Sequence, residues 1–113
     1  MKVKRACLYA ADLNPRQGTE AGKVRPVVVI QTDLLNEDSH PSTWIIPCTT
    51  QVTPPNILRV HLPQGSAGND KECDVMIDQS RAIDNKRFKK CLGKIPPLLF
   101  EEIVEKIKLV GGL

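Results

Sequence analysis

The chain has 113 residues, 41% of them apolar and 26% charged, and its 16 basic and 13 acidic side chains give a formal net charge of +3. This length excludes two domains and predicts a single domain over residues 1–113, near the lower limit for a self-sufficient core, so a partner subunit would add stability. The composition excludes a disordered chain, and the mild cationic excess is compatible with a polyanionic ligand without requiring one.

Strands dominate the first three quarters of the chain. They are expected, in chain order, at residues 5–13, 24–32, 43–49, 57–62, 73–77 and, as a less regular extended stretch, 79–84. The first two are joined by a loop at 14–22 with one proline and two glycines, which is long for a hairpin and therefore a candidate for function. A second polar loop spans 63–72.

A helix is expected at the end of the chain. Residues 96–110 start with prolines, carry acidic side chains in the first turn and lysines near the end, and are followed by Gly111. Leu99, Ile103, Ile107 and Val110 form one apolar stripe, which predicts packing on a sheet. Residues 85–90 permit a further short helix. The elements together predict an α+β, mainly β, fold: a small, strongly curved antiparallel barrel or half-barrel with a C-terminal helix.

The four cysteines show no metal-binding pattern, since there is no Cys-x-x-Cys pair and no histidine at zinc-ligand spacing. We expect Cys7, Cys48, Cys73 and Cys91 to be buried packing residues. The N-terminus lacks the apolar run of a signal peptide, and no stretch approaches the roughly 18 apolar residues of a membrane span, so we expect a cytoplasmic protein with reduced thiols.

The motifs of nucleotide-binding loops, zinc proteases and serine hydrolases are all absent from the sequence. The two histidines make a poor acid–base pair, because His61 alternates with apolar residues onto the polar face of its strand beside Arg59, and His40 lies in a turn-forming stretch. Chemistry must therefore come from other side chains.

Arg25 stands directly before Pro26, at the start of the apolar run Val27–Ile30. A residue before proline is held extended, so Arg25 is fixed at the start of a strand that we expect to be covered on both faces. Two roles remain open from the residues alone. Arg25 either forms a salt bridge to Glu20 or Asp12 that fixes the preceding loop, or binds an anion.

A second candidate site is the strand end Pro47–Gln51, where the hydroxyls of Thr49 and Thr50 stand beside a loop. These oxygens either cap the turn or contact a ligand. Capping is the simpler explanation from the residues alone.

Three blocks of sequence, ADLNPRQGTEAGKVRPVVVIQTD, IIPCTTQ and VMIDQSRAIDNKRF, closely resemble the MazF/PemK family of toxin endoribonucleases from type II toxin–antitoxin modules. The similarity spans nearly the whole chain. It implies an SH3-like, plasmid-maintenance-toxin β-barrel with a C-terminal helix, a homodimer and a cognate antitoxin as partner. It also implies cleavage of single-stranded RNA (mRNA) at short specific sequences, with no metal and no other cofactor.

The resemblance assigns the family's catalytic arginine to Arg25 and its catalytic threonine to Thr49, and it likens Glu20 to an acidic residue implicated in some members. In the family's scheme the ribose 2′-hydroxyl attacks the adjacent phosphorus, leaving a 2′,3′-cyclic phosphate and a 5′-hydroxyl. Arginine stays protonated, so Arg25 is expected to clamp the phosphate and to act as acid, and the base is left open between Glu20 and solvent.

Base recognition is expected from polar loop residues, because most of the four aromatic side chains look like core. The predicted RNA-binding residues are Asn14, Gln17, Thr19, Lys23, Thr50, Gln51, Asn56 and Gln79, with Asn69 as a further candidate. Gln79 belongs with Asp78 and Arg81 to a family block whose role is either substrate contact or a structural network or dimer contact.

Two competing functions remain. One is a non-catalytic, protein-binding toxin of the same fold, of the gyrase-inhibitor type, and the other is an RNA- or antitoxin-binding module without turnover. The chain also departs from the family at one point, since it has Arg5-Ala6-Cys7 where many relatives have Arg-Gly-Asp before the first strand. We expect the turn there to differ in geometry.

Overall fold

The structure is a computed structural model that describes all residues, 1–113. Its strands are β1 (Cys7–Asp12), β2 (Val24–Val29), β3 (Ser42–Thr49), β4 (Arg59–Leu62), β5 (Cys73–Met76), β6 (Arg81–Asp84) and β7 (Phe88–Lys94). Helix α1 (Asp33–Glu37) follows β2, and helix α2 (Pro97–Gly111) ends the chain. The strands pair in the order β4-β5-β3-β2-β1-β7, with β6 on β3. The predicted class, mainly β with a C-terminal helix, is confirmed.

Strand β3 joins the two parts of the sheet. Its first half, Ser42–Ile45, pairs with β6, whereas its last two residues, Cys48 and Thr49, pair with β5. The stretch Ile45–Pro47 pairs with β2. One eight-residue strand thus pairs with three neighbours, and apolar side chains are buried in two clusters.

The core lies on both sides of β2. Val27 and Val29 belong to one buried cluster with Tyr9 and Phe88, while Val28 and Ile30 belong to a second, larger cluster. Successive residues of a strand point to opposite faces, so this alternation confirms that the run is covered on both sides. Helix α2 closes the larger cluster through the fully buried Ile103.

The region after β6 differs from the prediction. Residues 85–87 form only one 3₁₀ turn, and the short helix permitted at 85–90 is wrong because β7 begins at Phe88. Strand β7 pairs with β1, with two register shifts. Its sequence contains no β-branched residue and carries several lysines, so propensity gives no strand signal there. Helix α1 also escaped prediction, although the Thr32 hydroxyl caps it by accepting from Leu34 N–H at 3.3 Å.

The expectation that all four cysteines are buried is only partly right. Cys48 and Cys73 are buried, Cys7 is half-buried and Cys91 is exposed on β7. The Cys48 thiol hydrogen-bonds to Cys73, and this contact together with burial raises the pKa of Cys48 well above its ordinary value. The thiol beside the strand end therefore stays neutral and serves packing.

Neither helix combines the length and hydrophobicity that crossing a bilayer requires.

Ala6 occupies a left-handed backbone conformation, with φ of 66°. Its N–H donates to Val29 O and its carbonyl accepts from Ile95 N–H, both at 2.9 Å, so the turn is fixed on both sides. Glycine adopts this region freely and alanine does not. The turn before β1 thus holds a strained alanine.

Candidate active site

The strand register brings Arg25 and Thr49 together. Continued two residues beyond its last pair, the antiparallel β2–β3 register places Arg25 level with Thr49. Thr49 pairs with Asp74 on β5, and Asp74 pairs with His61 on β4. Directly opposed residues of antiparallel strands share a face. These four residues therefore form one row across four strands.

Two backbone carbonyls hold the Arg25 guanidinium. Its Nε donates to Gly22 O at 2.7 Å and its Nη1 donates to Cys48 O at 3.1 Å. The alternative role, a salt bridge to Glu20 or Asp12, is not formed. Burial lowers the pKa of Arg25, but a guanidinium remains protonated at neutral pH. Nη2 makes no hydrogen bond within the chain, so the N–H groups of Nη2 are free to bind a ligand while the Arg25 guanidinium is held in place.

Arg25 faces a cavity of 660 Å³. Nine of the eleven predicted site residues line it: Asn14, Thr19, Glu20, Lys23, Arg25, Thr49, Thr50, Gln51 and Gln79. Gln17 and Asn56 lie outside this lining. Asn56 is engaged within its own loop, since its side-chain amide donates to Pro54 O at 3.0 Å and its Oδ1 accepts from Leu58 N–H at 2.9 Å.

Loop 63–72 contributes no residue to the cavity. Asn69, the candidate from that loop, is only 3% exposed. Its side-chain amide donates to the carbonyls of Lys71 and Pro63 at 2.8 and 3.1 Å, and its Oδ1 accepts from Ala67 N–H at 3.0 Å. Asn69 therefore shapes its own loop, and the expectation that it reads bases is wrong.

The Thr49 hydroxyl caps the turn after β3, as its oxygen accepts from Gln51 N–H at 3.1 Å. Accepting that bond leaves the hydroxyl hydrogen free to donate. Capping and ligand contact, which the residues alone left as alternatives, are therefore compatible in one side chain.

Glu20 lines the cavity and pairs with Arg81, with Nη1 to Oε2 at 3.5 Å. The same Nη1 lies 3.5 Å from Ala21 O. Arg81 thus connects the loop 14–22 to β6. This contact fits the structural network that was one of the alternatives for its sequence block. From the same block, Gln79 reaches the cavity, whereas Asp78 is exposed outside its lining.

A second arginine fixes the other end of this loop. Arg87 Nη1 donates to Asp12 O at 3.0 Å and to Asn14 O at 2.6 Å. The Asn14 side chain is also engaged, because its Oδ1 accepts from Lys23 N–H at 2.8 Å. The long loop is therefore held in place at several points although it contains no regular structure.

The cavity is cationic. Its lining contains four basic side chains, Arg16, Lys23, Arg25 and Arg59, against the single carboxylate of Glu20. An excess of fixed positive charge around a concave surface favours an anionic ligand. Sequence reasoning did not single out Arg16, Arg59 or Met76 for the site. The alternation of β4 did place Arg59 on a polar face, but the pairing of β4 with β5 could not be read from the sequence.

Comparisons with known proteins identify the family of the chain. Residues 4–111 match the family described as "PemK-like, MazF-like toxin of type II toxin-antitoxin system". The chain is 31% identical over 112 residues to an endoribonuclease MazF of Staphylococcus saprophyticus, covering 98% of this chain and 92% of that protein.

Solved structures share the fold. The crystal structure of MazF from Deinococcus radiodurans superposes with a TM-score of 0.86 at 21% identity, covering 100% of this chain and 99% of that one. A mycobacterial endoribonuclease in complex with its cognate antitoxin gives a TM-score of 0.73 at 16% identity, covering 99% and 95%. The match over residues 4–111 and the staphylococcal relative together show that the chain belongs to the PemK-like, MazF-like family of type II toxins.

Proposed function

We propose that this protein is the toxin of a type II toxin–antitoxin module and acts as a sequence-specific, metal-independent endoribonuclease on single-stranded RNA. One observation carries the proposal: Arg25 and Thr49 meet at a cationic cavity with donors left free. The endoribonuclease activity of the staphylococcal relative supports it.

The proposed reaction is an internal transfer at one phosphodiester. The ribose 2′-oxygen forms a bond to phosphorus while the bond to the 5′-oxygen breaks, giving a 2′,3′-cyclic phosphate and a 5′-hydroxyl. Negative charge gathers on the nonbridging oxygens in between. The free guanidinium donors of Arg25 and the Thr49 hydroxyl are suited to those oxygens, and fixed donors of this kind act most strongly where charge develops.

Two protons must move in this reaction. Arg25 gives a proton to the departing 5′-oxygen, because a guanidinium donates far more readily than it accepts. We assign removal of the 2′-hydroxyl proton to Glu20, the only carboxylate in the cavity lining. Its ion pair with Arg81 keeps this carboxylate in place beside the cavity. Solvent is the competing base.

The partners follow from the same family membership. A mycobacterial endoribonuclease of this fold forms a complex with its cognate antitoxin, and we propose that this chain likewise binds an antitoxin. We also propose that it does so as a homodimer. The gyrase-inhibitor alternative is not favoured, since a protein-binding toxin has no need for free donors in a cationic cavity.

The experiment is cleavage of a single-stranded RNA library by the purified protein in the presence of EDTA, with both product ends mapped. We expect cuts at one short sequence that leave a 2′,3′-cyclic phosphate and a 5′-hydroxyl. A single 2′-deoxy substitution at the cut site is the matched control, and it should abolish cleavage by removing the nucleophile. Intact RNA, or unchanged cleavage of the deoxy substrate, would contradict the proposal.

A further inference from the structure

Arg59 lies in the wall between two cavities. It lines the 660 Å³ cavity that contains Arg25 and also a second cavity of 490 Å³. Its Nη1 is directed to Gln51 O at 3.3 Å and to Asp74 Oδ2 at 3.4 Å. Nε and Nη2 have no partner within the chain. One nitrogen thus anchors the guanidinium, and its remaining donors are available to a ligand.

The buried carboxylate of Asp74 holds the Arg59 guanidinium in place. Its side chain is 1% exposed and accepts from Thr53 N–H at 2.9 Å and from Arg59 at 3.4 Å, and its Oδ1 lies 3.1 Å from His61 Nδ1. Burial opposes ionisation of Asp74, but the hydrogen bonds from Thr53 and His61 and the charge of Arg59 outweigh it, so its pKa is lowered. A buried, ionised carboxylate therefore connects Arg59 with the loop after Thr49.

The backbone of Arg59 is fixed as well. Lys106 of α2 donates to Arg59 O at 2.8 Å and to Asn56 O at 3.1 Å. Lys106 also pairs with Glu102 at 3.6 Å. Because Lys106 is engaged in these contacts, Arg59 is the cation with free donors in the lining of the second cavity. A preorganised cation of this kind loses little entropy when it binds an anion.

We propose that Arg59 binds a phosphate next to the scissile one as the RNA strand passes from the first cavity into the second, and that Asp74 is its positioning residue. This inference rests on the proposed function. A strand in the first cavity brings one phosphate per nucleotide, so a second guanidinium in the same wall meets a flanking phosphate. The charge of that phosphate does not change during the reaction, so Arg59 contributes to binding and hardly to the chemical step.

The test compares the variants Arg59→Gln and Arg59→Lys with Lys90→Gln. Lys90 is an exposed cation on β7, outside both cavities, and its substitution makes the same change in net charge. Each protein is assayed with an RNA oligonucleotide that the wild type cleaves. Binding is measured with the same oligonucleotide carrying a 2′-deoxy residue at the cut site.

Arg59→Gln should raise KM about 10- to 100-fold and change kcat less than about threefold, which corresponds to one lost charge-assisted hydrogen bond. The slope of log Kd against log salt should fall by about 0.7, the value for one phosphate of a single strand. Arg59→Lys should recover part of the loss. Asp74→Asn should raise KM in the same direction and add little to Arg59→Gln, because the two residues act as a unit.

The outcomes separate this inference from the proposed function. If the wild type does not cleave RNA, the proposed function itself fails. If the wild type cleaves and Arg59→Gln has the KM and salt slope of Lys90→Gln, only the role of Arg59 is wrong. A loss confined to kcat would also overturn it. Thermal unfolding of Arg59→Gln and of Arg59→Lys, which keeps a positive charge beside Asp74, separates lost binding from lost fold.

Discussion

The hydroxyl of Thr49 offers a sharp test of the site, because the structure gives it a structural bond and leaves its hydrogen free. Thr49→Val keeps the shape and removes the oxygen. Gln51 is exposed, so its N–H regains a water partner and the cost in unfolding free energy should be only about 0.5–1 kcal/mol. If the hydroxyl donates to a phosphoryl oxygen during reaction, its loss should lower kcat about 100- to 1,000-fold, as for other single oxyanion donors.

The assay is single-turnover cleavage at saturating enzyme, with urea unfolding of the same preparations. Thr49→Ser is the matched control, because it keeps the hydroxyl and should stay within about fivefold of wild type for an interaction of this size. A Thr49→Val protein that is slightly less stable but cleaves within about threefold of wild type would show that the hydroxyl only caps the turn and would refute its catalytic role.

Three further predictions address neighbouring residues. Ala6→Gly should raise the unfolding free energy by about 0.5–1 kcal/mol in urea titration, because glycine adopts the left-handed conformation of Ala6 without strain. An unchanged midpoint of urea unfolding would show that Ala6 is not strained. Glu20→Gln should lower kcat at least about 100-fold, because a well-placed general base contributes about that much or more; a kcat within about threefold of wild type would assign the base role to solvent. Asp74, whose pKa lies below its ordinary value of 3.8, contributes stability that is full at neutral pH and is lost as pH falls through its lowered native pKa. In urea titrations Asp74→Asn should therefore be less stable than wild type at neutral pH, and the difference in unfolding free energy should narrow as the pH falls below the ordinary aspartate pKa of 3.8. A difference that does not change with pH would contradict the assignment.

The sequence predicted the site residues whose placement is fixed by their immediate neighbours in the chain. Arg25 could be placed because the following proline fixes its backbone and the valine run identifies a strand buried on both faces. Thr49 could be placed because its strand ends where the polar connector begins. Their proximity came only from the resemblance, since the residues alone do not reveal that β2 and β3 pair in the register that puts them level.

Residues whose role depends on distant pairing could not be predicted. Arg59 reaches the cavity because β4 pairs with β5, and β5 pairs with the end of β3. Strand β7 was missed because its stability comes from pairing with β1 and from the burial of Phe88, and its own lysine-rich sequence has little strand propensity. In both cases tertiary contacts decide what local sequence leaves open.

The central claim is that the position of the Arg25 guanidinium, and not merely its charge, drives RNA cleavage. The most direct measurement is the single-turnover rate of Arg25→Ala beside that of Arg16→Ala, since both remove a guanidinium from the same cavity. Arg16 donates through Nε to Gly18 O within its own loop at 3.2 Å and makes no hydrogen bond to β3. We expect Arg25→Ala to cleave at least about 1,000-fold more slowly than wild type, because it loses a donor to the transition state. Arg16→Ala should cleave no more than about tenfold more slowly, because it loses only a surface charge. Equal losses in the two variants, or an Arg25→Ala protein that cleaves nearly as fast as wild type, would contradict the account.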